Sequence, residues 1–84
     1  MTTKLEVVEL AYGAEIDGAG LRLIGCAGYL LCEDGVPVRR EKPAGFYIEK
    51  KDEAGNWQPI KGPYWGGPIG GYPPEAEADL RAML

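Results

Sequence analysis

The chain has 84 residues, 45% of them apolar and 26% charged, with thirteen acids against nine bases and a net charge of −4. That length makes a single domain, residues 1–84, with a modest core, and the composition is too apolar for a disordered segment. With no His and no Ser, and with Thr2 and Thr3 as the only aliphatic hydroxyls, a Ser–His–Asp triad, a Cys–His pair and a His-ligated metal are excluded within the chain.

The first segment, residues 4–12, fits two descriptions. Val7-Val8 favours a strand, whereas Thr3 followed by Glu6 matches a helix capping box. Asp17-Gly18-Ala19-Gly20 is a turn, and residues 21–26 and 28–33 then read as strands, with Gly28 as a bulge or bend. Asp34-Gly35 is a hairpin signal leading into residues 36–40, where Pro37 places the strand at a sheet edge. After a turn at residues 42–45, residues 46–51 alternate, with Phe46, Ile48 and Lys50 on one side and Tyr47, Glu49 and Lys51 on the other. A polar loop at residues 52–56 returns the chain through residues 57–61, completing a hairpin.

Residues 62–74, GPYWGGPIGGYPP, read as an uncharged loop holding five Gly, four Pro and the aromatics Tyr64, Trp65 and Tyr72. Pro73-Pro74 suits a helix start, and Glu75, Glu77 and Asp79 fall near the positive end of the helix dipole. Ala76, Leu80, Met83 and Leu84 form one apolar stripe on a helix of roughly 11 residues, too short to stand alone. The expected fold is α+β: a small antiparallel β-sheet of about four to six short strands, with the C-terminal helix packed on one face.

The longest apolar run, residues 23–32, has ten residues including two glycines, well short of the roughly 18 needed to span a membrane. MTTKLEVVEL has no apolar stretch after a basic region, so no signal peptide is expected and a cytoplasmic location is. Cys26 and Cys32 then read as reduced core thiols, and no CxxC pair suggests zinc. The phosphate-binding glycine patterns are incomplete: Gly18-x-Gly20 lacks the third glycine, and the GxxG spacings at residues 25–28 and 67–70 mean little in a chain with thirteen glycines. The sequence thus points to no catalytic residue, no cofactor and no metal, and to a protein that is not an enzyme.

Two groups of residues carry binding hypotheses. Arg39, Arg40, Lys42, Lys50 and Lys51 lie beside Phe46, Tyr47 and Trp57, a mixture suited to phosphate contacts and base stacking on single-stranded nucleic acid. The plainer reading is a solvated edge whose lysines guard against edge pairing, and the acidic balance favours it. The second group is Tyr64, Trp65 and Tyr72 with Glu75 and Asp79, a helix pair at i and i+4. Exposed aromatics of this kind anchor protein interfaces; buried, they fill the seam between sheet and helix.

The strand, polar turn, Trp-bearing strand and short helix in FYIEKKDEAGNWQPIKGPY and PPEAEADLRAML resemble those of small phage-encoded proteins. A compact acidic chain without catalytic residues resembles anti-CRISPR and related host-takeover inhibitors. The resemblance is one of class, and no residue's role follows from it. It implies a stoichiometric inhibitor, acting in the host cytoplasm, that blocks a nucleic-acid-binding or catalytic surface of a bacterial complex. The leading expectation is therefore a non-enzymatic protein-binding module working through its acids and aromatic loop. The alternatives are a single-stranded nucleic-acid binder using the basic strip from Arg39 to Lys51, or a structural virion or assembly protein.

Overall fold

A computed structural model describes residues 3–16, 18–66 and 71–84 of the chain. Its elements in order are β1 (Thr3–Val7), β2 (Tyr12–Ile16), β3 (Leu21–Cys26), β4 (Tyr29–Glu33), β5 (Val36–Lys42), β6 (Gly45–Lys51), β7 (Trp57–Tyr64) and α1 (Pro74–Ala82). They form two antiparallel sheets, one ordered β1-β4-β5 and the other β2-β3-β6-β7. Seven strands in two sheets replace the expected single sheet of four to six.

The physical reason lies in three joints. β1 and β2, β3 and β4, and β5 and β6 are consecutive strands, separated by residues 8–11, 27–28 and 43–44. β1 pairs with β4 while β2 pairs with β3, so one long hairpin is shared between both sheets. Backbone bonds from the Val8 amide to the Gly28 carbonyl and from the Ala27 amide to the Val8 carbonyl, both 2.9 Å, hold the two arms together where they bend. β5 and β6 follow the same course beside β4 and β3. A meander of long strands is thus folded along one crease, and Gly28 makes that fold possible. Its φ is +115°, and an added Cβ would lie 2.7 Å from the Arg40 guanidinium and closer still to the Lys42 carbonyl.

The alternation of β3 and β6 then builds three layers. Leu21 and Leu23 of β3, Ile48 of β6 and Tyr64 of β7 pack against Ala76 and Leu80 of α1. The intervening residues Ile24 and Tyr47 turn the other way, toward Tyr29 of β4 and Leu5 of β1. The four-stranded sheet therefore lies between the helix and the three-stranded sheet, and its central strands are buried on both faces.

Several sequence expectations hold. The segment at residues 4–12 begins as a strand, β1, before the crease interrupts it. Asp34 (φ 52°) and Gly35 (φ 82°) form a two-residue hairpin turn with both φ positive. Pro37 lies on β5, an edge strand, and β6 and β7 form the expected hairpin. Cys26 and Cys32 are free thiols.

Two expectations need correction. The Gly/Pro loop begins later than residue 62, because Gly62 to Tyr64 continue β7 and Tyr64 pairs with Phe46. Its centre, residues 67–70, with Ile69 and the second GxxG spacing, lies outside the described residues, as does Asp17. The helix has nine residues, beginning as expected with Pro74 in the first turn. Only Ala76 and Leu80 of the apolar stripe are buried; Met83 and Leu84 follow its end and are 37% and 65% exposed. The Met83 amide bonds to the Leu80 carbonyl at 3.1 Å, a tighter turn that ends the helix there. Among the described residues no helix is long and apolar enough to cross a membrane.

Candidate functional site

The aromatic and acidic residues divide between structural and exposed positions. Tyr64 is buried under α1, and its hydroxyl donates to Asp79 Oδ2 at 2.5 Å. Lys61 Nζ approaches the same oxygen at 3.2 Å. These two partners, the Tyr64 hydroxyl first, hold the Asp79 carboxyl below its usual range. Burial, the bond to Asp79 and then the charges of Asp79 and Glu75 push the Tyr64 phenol far up, so it remains a donor. Tyr72 is half-buried and meets Phe46 edge-on, with ring centroids 5.8 Å apart. Tyr64, Tyr72 and Asp79 thus fasten helix to sheet. Glu75 is exposed.

Trp65 differs from the other two aromatics. It is 67% exposed, yet its Nε1–H donates to the Ala44 carbonyl at 3.1 Å, which ties the ring to the crease. A Cβ added to Gly45 would stand 3.3 Å from the same nitrogen, so the indole lies directly over that glycine. Beside it is an open, shallow depression of about 420 Å³, lined by Glu9, Ala11, Gly25, Cys26, Ala27, Gly45 and Phe46. Among the described residues, Glu9 is the only charged one in that lining. The three bending strands supply this surface because small residues are needed where they turn. Leu10, on the same connection as Glu9, is 46% exposed.

The basic strip is divided by the fold. Arg39, Arg40 and Lys42 lie on β5 of the three-stranded sheet, Lys50 and Lys51 at the far end of β6 in the other. Arg39 pairs with Glu41 at 3.0 Å, and Arg40 donates to the Ala27 carbonyl at 2.5 Å. Lys42 is half-buried, Lys50 is exposed, and Lys51 lies 5.5 Å from the centre of the Trp57 ring. Lys50 and Lys51, as strand neighbours, point to opposite faces.

Sequence reading missed a polar cluster between the sheets. Glu49 is 1% exposed; its Oε1 accepts from Arg22 Nε at 2.5 Å and its Oε2 from the Tyr29 hydroxyl at 2.8 Å. Arg22 in turn lies over Trp57, 4.5 Å from the ring centre. Burial, and then the bond to Glu49, push the Tyr29 phenol far up. A cleft of about 330 Å³ opens onto this cluster between β1 and Trp57. The carboxylate is committed on both oxygens, so the cluster works as a fastening between layers and offers no free base. Its signal in the sequence was an acid closing an apolar run, Phe46-Tyr47-Ile48-Glu49, and a base within one, Leu21-Arg22-Leu23-Ile24.

Among the described residues, no group of three or more Cys, Asp or Glu is placed to hold a metal ion. No family model, curated protein or solved structure matches the chain.

Proposed function

We propose that this protein is a non-enzymatic protein-binding module that docks through its crease, with Trp65 as the anchor. The observation that supports this reading is a large aromatic ring that is 67% exposed and yet fixed by its own hydrogen bond beside a nearly uncharged depression. A ring already held in one place loses little freedom on binding, and Trp is the residue type most enriched among interface anchors. The Trp65 indole stands over Gly45 and the Phe46 ring over Gly25, so a partner would meet aromatic surface there.

The narrower reading is a phage-type stoichiometric inhibitor of a bacterial nucleic-acid-handling complex, of the anti-CRISPR kind. Support for it comes from the net charge of −4, the sequence resemblance and the division of the basic strip. Exposed acids such as Glu75 would steer such a chain toward the basic groove of its partner. The test is capture from a bacterial lysate on the immobilised chain, with Trp65→Ala as the matched control. The proposal expects a nucleic-acid-handling protein that the variant fails to retain. Equal retention by both chains would remove the crease from the interface, and capture of an unrelated class of protein would remove the narrower reading.

A further inference from the structure

We infer that the free edge of β2 and the groove beside it pair with a second copy of this chain, making a two-fold dimer with one continuous sheet. Among the described residues the two sheets have four edge strands, β1, β5, β2 and β7. Three carry devices that oppose edge pairing. β5 has Pro37 and three basic residues, β7 has Pro59, Lys61 and Pro63, and β1 has Lys4. β2, Tyr-Gly-Ala-Glu-Ile, carries one acid, Glu15, but neither proline nor a basic residue.

The helix leaves this edge uncovered. α1 packs over β3, β6 and β7, and a groove of about 300 Å³ remains between it and β2. Ala14, Ile16, Leu80 and Leu84 line it, with Glu77 and Arg81 as its charged residues. The charge pattern selects the occupant. Glu77 and Arg81 stand one helical turn apart with opposite signs. A two-fold axis through the groove reverses one helix against the other, setting each Glu77 against the partner's Arg81 while the apolar residues meet between them. An unrelated strand would gain the backbone bonds but would not find its charges matched by the same operation.

The test is the solution mass of the purified 84-residue chain, which needs no other partner and is therefore independent of the crease proposal. At about 1 mM, a concentration that populates even weak association, the expected mass is twice the 9.1 kDa of one chain. Ala14→Lys, which puts a guarding charge on an exposed edge position, should return the single-chain mass with the circular dichroism spectrum unchanged. Arg81→Glu alone should weaken the dimer by roughly fivefold or more, since two symmetric ion pairs become repulsions, and Glu77→Arg with Arg81→Glu should restore it. A wild-type chain of single mass at that concentration overturns the inference. So does a dimer indifferent to Ala14→Lys, or a double reversal no tighter than the single one.

Discussion

Glu49→Ala should be among the most damaging single substitutions in this protein, although the residue touches no proposed binding surface. The carboxylate is 1% exposed and accepts two hydrogen bonds, from Arg22 and from Tyr29. Removing it leaves the Tyr29 hydroxyl buried without its acceptor and Arg22 without its counter-charge. Breaking one side of a buried pair costs about 3–5 kcal/mol. The Arg22 side chain is 21% exposed and lies on Trp57, so part of its charge remains hydrated. That places the expected loss at the lower end, about 3–4 kcal/mol. A domain of this length has about 4–13 kcal/mol in all, so the variant should approach the limit of folding. Urea unfolding followed by tryptophan fluorescence is the assay, since Trp57 lies against Arg22. Tyr29→Phe should cost less, about 1.5–3 kcal/mol, because Glu49 loses the donor to one oxygen but keeps its ion pair with Arg22. Combining Tyr29→Phe with Glu49→Ala should cost less than the sum, by about 1–3 kcal/mol. A loss below about 1 kcal/mol for Glu49→Ala, or strict additivity in the pair, would mean that Glu49 does not fasten the two sheets.

Gly28→Ala should destabilise by about 2–5 kcal/mol, combining an unfavourable positive φ with overpacking at the Lys42 carbonyl, and the same urea assay measures it. Tyr29, Tyr47 and Tyr64 all have phenols pushed above the ordinary value of 10.0, with burial the largest cause. A raised folded-state value stabilises the fold fully below pH 10 and loses that contribution as pH rises further. Phenolate absorbance from these three rings should therefore appear together with unfolding, above pH 10; a smooth titration in the folded state would contradict it. Asp79 has the opposite sign. Its carboxyl lies below 3.8 in the folded chain, so the advantage of wild type over Asp79→Asn should be constant near neutrality and shrink as pH falls below 3.8. Paired unfolding curves at pH 7 and pH 3 test this, and an advantage that grows in acid would reverse the assignment.

The local turns and strand periodicities of this chain were legible because they depend on neighbours in sequence. Asp34-Gly35, the β6–β7 hairpin, the edge position of Pro37 and the start of α1 each follow from a few adjacent residues. The crease was not legible as such. Gly28 announced a bend, but a bend becomes a second sheet only when residues 8–11 and 43–44 turn beside it, and that is a property of three segments together. The same non-locality hid the site. Tyr64, Trp65 and Tyr72 look alike within one glycine-rich stretch, and only the docked helix separates them. Tyr64 lies beneath α1 and Tyr72 against Phe46, while Trp65 falls beyond the end of β7, where the helix does not reach. Glu49 looked like an ordinary strand charge because its partner Tyr29 reaches it from the other sheet.

The proposed anchor for a protein partner is Trp65, fixed and exposed at the crease. Trp65→Ala should leave stability nearly unchanged, within about 1 kcal/mol, since the ring is mostly exposed. The decisive measurement is the affinity of the captured partner for the wild-type chain and for Trp65→Ala, by calorimetry, with the fold of both verified. The variant should lose at least about 2 kcal/mol, roughly thirtyfold in affinity. Equal affinity for the two chains would contradict it.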